Sequence, residues 1–295
     1  MARIATVAAM RAVLVATLGA AVALIATACG ATKPTYPINV YIAGQHIGPV
    51  APGGSAAFFK KTLRVSLGYA HCIVHVPDGP ERVDSALALR HGRIDLPFKL
   101  VLCNIAIASQ HQLFPHASEV TALSELLSVL GKDVSQVKLV PQLKRSGPVD
   151  PQPVAGSKLF RWGDPEQGFV GRPDRAGTRG GFGTYEPEIK RLAAKYGVQL
   201  IDLQGKSADA VRNAVLHGHP VIAWVGGPVA RPFTWLTPSG KEITVDLGSH
   251  AIVLTGAGRN YVLLTDPVTG KTFKWSTSKF SDRWALIGQR ALQLR

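Results

Sequence analysis

After Pro220 the chain passes into closely spaced strands, and this order of elements constrains the fold more than any other feature. Residues 221–225 (Val-Ile-Ala-Trp-Val) form an unbroken apolar run, as expected of a central strand covered on both faces. Residues 243–247 alternate, 251–255 and 261–265 flank Gly256-Ala-Gly-Arg-Asn260 as a hairpin, and 272–275 add a strand. A short helix holding Phe280 and Trp284 follows, and 286–294 can close the sheet. Helical patterns come before this block. Residues 118–130 place Val120, Leu123, Leu126, Leu127 and Leu130 on one face, with Gly131 as the stop. Further helices are expected at 187–196 and at 207–217, the latter with Ser207 as N-cap and Gly218 as stop. Helices first and an antiparallel sheet last is the signature of an α+β fold, not of a doubly wound sheet.

At 295 residues, with 46% hydrophobic and 18% charged, the chain has the make-up of a globular protein and can bury a sizeable core. Residues 30–37 are short, polar and contain Pro34 and Pro37, which suits a tether. The stretch 38–103 is expected to be a small α+β module, with strands at 38–42 and 72–76 and a short helix at 55–66. This strand, helix, strand order resembles a β-grasp type of module. The second domain is expected to span 104–295. Within it, residues 144–183 hold nine Gly and five Pro, too many for regular structure, and a stretch of this kind in a compact domain is usually functional or disordered.

The formal net charge is +14, and no acidic residue occurs before Asp78. Such a balance suits nucleic acid, but the first 29 residues argue for another compartment. Arg3 and Arg11 precede the acid-free apolar run 12–28, which ends at Cys29 in the manner of a secretory leader. Ala26-Thr-Ala-Cys29 resembles a bacterial lipobox, although the usual Leu is missing at Ala26; Cys29 would then be acylated and begin the mature chain. Ordinary secretion and an uncleaved anchor are the alternatives. In each case the body lies outside the cytoplasm, nucleic acid is not an expected partner, and basic residues would meet an anionic membrane surface or wall polymers. Cys72 and Cys103 are then a candidate disulfide in an oxidising compartment, stabilising by roughly 3–4 kcal/mol in the chain-entropy model. A reactive thiol is the rival reading.

His250 precedes the first strand of the hairpin and Asp266 ends its second, each eight residues from Gly258. Residues equidistant from an antiparallel turn face one another to within a register step or two, so the imidazole and carboxylate should meet at the open end. A carboxylate there would fix the tautomer of a general base and stabilise its imidazolium. A structural hydrogen bond would use the same pair. A nucleophile would stand at a helix N-terminus, where Ser118 lies, and Gln110 upstream could donate to an oxyanion.

The segment Gln110-His-Gln-Leu-Phe-Pro-His-Ala-Ser118-Glu-Val-Thr-Ala-Leu123 resembles the nucleophile segment of bacterial, secreted, papain-like cysteine peptidases related to bacteriocin-leader processing enzymes. Gly163-Asp-Pro-Glu-Gln-Gly-Phe-Val-Gly171, Tyr185-Glu-Pro-Glu-Ile189, Gly218-His-Pro-Val-Ile-Ala-Trp224, Ser249-His-Ala-Ile-Val-Leu-Thr-Gly256 and Thr265-Asp-Pro267 follow in the family's order. The resemblance covers about 104–291 and implies a papain-like fold, a helical lobe followed by an antiparallel β lobe. It also implies Ser118, His250, Asp266 and Gln110 as the catalytic positions.

The resemblance departs at the decisive atom, because the family's Cys position holds Ser118. A thiolate can be stored at neutral pH beside an imidazole, whereas a hydroxyl must lose its proton during attack. Three functions therefore stand as expectations. One is a degenerate peptidase that binds a peptide or cell-wall component; another is an active hydrolase using Ser118, His250 and Asp266. The third is a structural envelope lipoprotein that binds through its basic N-terminal module. Ser118 could equally be a plain N-cap, and His116 a compensating base or merely exposed. No cofactor and no metal is expected: His71, Cys72 and His75 would alternate along a strand, and Asp164, Glu166 and Asp174 lack calcium-loop spacing.

Overall fold

The computed structural model describes residues 38–42, 45–50, 62–75, 93–95, 99–177 and 179–295. The expected leader, tether and lipidation site at Cys29 lie outside them, as do 51–61 and 76–92. Among the described residues no helix is long and apolar enough to cross a membrane.

The described strands fall into two compact units. One is a three-stranded sheet of β1 (Ile38–Ile42), β2 (Gln45–Val50) and β5 (Arg93–Asp95), in the order β2-β1-β5. β1 runs antiparallel to β2, with Ile38 opposite Val50, and parallel to β5, with Val40 opposite Ile94.

The other unit contains β3 (Thr62–Leu67), β4 (Ala70–His75) and β6 (Lys99–Ile105), then α1 (Ser118–Val129) and α2 (Gln136–Leu139). Short strands β7 (Gln152–Pro153), β8 (Phe160–Arg161), β9 (Val170–Gly171) and β10 (Gly181–Gly183) thread the Gly-rich stretch. α3 (Glu186–Ala194), β11 (Leu200–Asp202) and α4 (Ala208–Leu216) lead into the β lobe. That lobe has β12 (Val221–Val225), β13 (Pro232–Leu236), β14 (Glu242–Asp246), β15 (His250–Gly258), β16 (Tyr261–Asp266) and β17 (Lys271–Ser276). α5 (Thr277–Ala285) and β18 (Ala291–Leu294) end the chain.

Nine strands make the main sheet, in the order β11-β18-β12-β15-β6-β4-β3, with β16 also on β15 and β17 on β16. β14-β13-β8-β7 form a second sheet. The whole is α+β and largely antiparallel, as the order of elements predicts.

The division expected at 103/104 is corrected. It falls inside β6, which pairs with β15 through Asn104 opposite Gly256 and Cys103 opposite Ala257. β4 pairs with β6, placing Cys72 opposite Cys103, and a disulfide joins the two. With Cys72 so bonded, neither the reactive-thiol reading nor a zinc cluster around His71 holds. β3 and β4 therefore belong to the larger unit and not to an N-terminal module spanning 38–103. Residues 62–66 are strand where a helix is expected, because exposure alternates with period two: Arg64 and Ser66 face out while Val65 is buried. Periodicity in a single sequence finds strands but not their partners, which is why the boundary was misplaced.

The main core forms where α1 lies against β12 and β15. Val120, Leu123, Leu126 and Leu127 pack with Ile222, Trp224, Ala251 and Val253. α1 is buried around its whole circumference from Ser118 to Leu127, so its polar residues Glu119, Thr121, Ser124 and Glu125 must find partners inside the protein. The helix ends as the sequence predicts: Gly131 takes φ +67°, and the Lys132 N–H returns to the Leu127 carbonyl at 3.1 Å. A second cluster of Trp162, Val170, Trp235 and Val245 fills the space beneath the smaller sheet.

Candidate active site

The hairpin of β15 and β16 sets the first part of the site. Its register places Val253 opposite Thr265. Carried on by one residue, Ile252 stands opposite Asp266 and His250 is its diagonal neighbour on the same face. The His250 Nε2 lies 3.4 Å from the Asp266 Oδ1. That is a close ion-pair distance, longer than an aligned hydrogen bond. Asp266 Oδ1 also accepts the Val268 N–H at 2.9 Å. Burial alone would raise the Asp266 pKa, but the adjacent imidazole and the Val268 N–H outweigh it and hold the carboxyl below its usual range. Asp266 is thus an anion at neutral pH.

Ser118 opens α1, but it is not the N-cap. Ala117 holds that position, with its carbonyl accepting from the Val120 and Thr121 N–H groups. The N-cap reading of Ser118 is corrected accordingly. Its hydroxyl oxygen accepts the backbone N–H of Ala251 at 3.0 Å, tying the helix start to the residue after His250. Ser118 and His250 line one cavity of about 680 Å³, joined by Gln112, His116, Gly181 and Arg231. Among the described residues no hydrogen bond joins the Ser118 hydroxyl to the imidazole.

Gln110 sits elsewhere than the sequence leads one to expect. Its amide oxygen accepts from Ser124 at 3.2 Å and from Gln136 at 3.3 Å, and it does not line the cavity. Gln112, two residues on, does line it and donates its amide to the Pro115 carbonyl at 2.9 Å. The cause is local. Residues 106–117 lack regular structure, so neither helical nor strand spacing predicts which glutamine points inward.

Two buried carboxyls on α1 escaped sequence reading. Burial pushes Glu119 up to about 8, even though the Thr184 backbone, the Ser118 hydroxyl and the Trp224 indole lie close enough to oppose the shift. It is a neutral acid at pH 7. Gly183, at φ +110°, is required beside it, because a Cβ there would run into the Glu119 carboxyl. Glu125 accepts the Gln110 N–H at 2.6 Å and the Thr265 hydroxyl. Burial raises it to about 7, and the Asp266 carboxylate adds to the rise. The signal for both was present: acids inside an otherwise apolar, fully buried helix need polar partners. A third unforeseen group is Arg290, which bridges Glu186 at 2.6 Å and Glu166 and lies 3.8 Å over the Tyr185 ring. It ties the Gly-rich stretch to β18.

His116 is half-buried, and burial lowers its pKa against the pull of the Gly177 and Arg175 backbone. Its Nε2 is enclosed and has no hydrogen-bond partner among the described residues.

A buried helix that presents its first residue to an imidazole and carboxylate on an antiparallel sheet defines a papain-like peptidase fold. The model of the Peptidase_C39 like family matches residues 103–292, and the chain belongs to that family. It is 35% identical over 183 residues to YvpB, an uncharacterised protein of Bacillus subtilis (strain 168), covering 60% of this chain and 68% of that one. It is also similar to the crystal structure of a candidate C39-like peptidase from Bacillus anthracis. That match has a TM-score of 0.53 and 26% identity, and covers 64% of this chain and 94% of that one.

Proposed function

We propose that this is an exported cell-envelope protein whose C39-like domain carries Ser118 in place of the family's nucleophilic Cys and binds a peptide or cell-wall component without hydrolysing it efficiently. The observation that carries this reading is the state of the Ser118 oxygen. It accepts the Ala251 N–H and lies beside the neutral Glu119 carboxyl, and it makes no hydrogen bond to His250. A serine nucleophile needs its proton taken by a base as it attacks, so a hydroxyl held by other partners is a poor one. The cleft around it stays open, at about 680 Å³, within the range of pockets that bind small ligands and peptide segments. Acylation at Cys29 and the net positive charge that remains of the +14 without Arg3 and Arg11 would hold the protein against an anionic membrane surface.

The test is reaction of the folded protein with a fluorophosphonate probe. The proposal expects Ser118 to stay unlabelled at high probe concentration. In the variant Ser118→Cys, the helix N-terminus and His250 should lower the thiol pKa beneath its ordinary value of about 8.5. Its iodoacetamide alkylation should then remain fast at neutral pH; a thiol that reacts only above its ordinary pKa would show that the surroundings no longer support a nucleophile.

The second reading, a working Ser118-His250-Asp266 hydrolase, is favoured by the 3.4 Å His250–Asp266 contact and the shared cavity. In that reading Gln112, not Gln110, is the side chain placed to donate to an oxyanion, after releasing the Pro115 carbonyl. Labelling of Ser118 that disappears in His250→Ala would establish it.

A further inference from the structure

The charges along the cleft are one-sided. Among the described residues no Asp or Glu lines the cavity that Ser118 and His250 share, while Arg231 and His116 do. The Arg231 guanidinium donates to one protein acceptor, the Leu247 carbonyl at 3.0 Å, out of the five N–H groups an arginine carries. The carboxylate next along the chain, Asp246, commits its Oδ1 to the backbone N–H groups of Arg231 and Gly248, and its buried Oδ2 does not line this cavity. Asp266 faces the far side of His250.

The one-sidedness continues beyond the cavity. A second hollow of about 600 Å³ shares Gly177 with the first and is lined by Arg175, Arg179 and Asp150. Asp150 is already held by Arg175 at 2.9 Å and Arg172 at 3.5 Å. Arg179 lies over the Phe160 ring at 4.5 Å and makes no ion pair among the described residues. Neither does Arg231. Among the described residues, the two hollows are lined by two guanidinium groups without an ion pair, Arg231 and Arg179, and by one carboxylate, Asp150, which Arg175 and Arg172 hold.

Building on the binding role proposed above, we infer that the cleft takes an acidic peptide, with side-chain or terminal carboxylates directed to Arg231 and Arg179. Guanidinium meets carboxylate in a planar, two-bond geometry that an ammonium cannot match, and such a pairing selects by charge sign. A Lys or Arg side chain entering there would meet like charge, with the lining carboxylate Asp150 already paired. The apolar lining at Phe182, Val229 and Leu247 can accept the neighbouring side chains of the same peptide. The chain's +14 draws an acidic ligand in from a distance.

Isothermal titration calorimetry with three short peptides, identical except for Glu, Gln or Lys at two adjacent positions, tests this directly. The Glu peptide should bind roughly tenfold more tightly than the Gln peptide at low salt, and the Lys peptide most weakly. The difference should shrink as salt shortens the screening length, a readout on the unaltered protein that does not depend on any variant folding. Arg231→Gln and Arg179→Gln should each reduce the Glu preference, while Arg231→Lys should keep part of it. Equal affinity for the three peptides, or a preference for Lys, overturns the inference and leaves the binding role standing. Failure of all three to bind overturns the inference and, with it, the peptide-binding form of the role proposed above.

Discussion

Ser118 is defined by what its oxygen accepts. Replacing it with Ala would leave the buried N–H of Ala251 without an acceptor, at a cost of about 1–3 kcal/mol. Urea unfolding of Ser118→Ala should show that loss; an unchanged midpoint would mean the hydrogen bond contributes nothing. The carboxyls around it titrate in opposite senses. Native Glu119 and Glu125 keep protons up to about 8 and about 7, whereas in the unfolded chain they release them near 4.5. The folded state therefore binds more protons across that window, and stability falls as pH rises through it. Glu119→Gln and Glu125→Gln should each flatten this decline in urea midpoints measured from pH 5 to 8. Asp266 acts with the other sign, because its folded pKa is depressed below 3.8. Its contribution is present above the unfolded value and is lost as pH falls through the folded one. Asp266→Asn should remove that acid limb.

At the scale of elements, much of the site could be read in advance because the hairpin fixes it. Alternation on either side of residues 256–260 places β15 and β16, and counting outward from Gly258 brings His250 and Asp266 together. The helix at Ser118 could likewise be read from its apolar spacing and its Gly131 stop. What escaped depends on partners distant in sequence. β6 is a strand by composition, but only its pairing with β15 shows that it belongs to the peptidase-like unit. β13 was missed because Pro232-Phe-Thr-Trp-Leu236 is too short and too mixed to stand out, and it is positioned by Trp235, whose indole donates to the Gly163 carbonyl. The choice between Gln110 and Gln112 turns on side-chain direction in irregular backbone, which spacing does not encode. The disulfide is the element-scale prediction. It joins β4 to β6 across a sequence separation of 31 residues, so Cys72→Ser with Cys103→Ser should cost about 3–4 kcal/mol. Thermal unfolding with and without dithiothreitol should show the same loss in the wild type and none in the double variant.

At the scale of the whole molecule, a family fold is shown, and the proposal adds that its site departs from the family at the one atom where Ser118 stands. The main sheet and the buried α1 are those of a C39-like domain, and the proposed binding role would use the cleft's cationic lining without bond cleavage. Anchoring is a separate expectation. Metabolic labelling with a palmitate analogue should tag the protein in cells and fail for Cys29→Ala; a tagged Cys29→Ala would place the lipid elsewhere. The most direct measurement of the central claim is peptide hydrolysis by the purified protein, compared with Ser118→Ala, across a library that includes acidic sequences. The account predicts that both proteins bind such peptides and that neither cleaves them above the uncatalysed rate. Turnover by the wild type that vanishes in Ser118→Ala would contradict it.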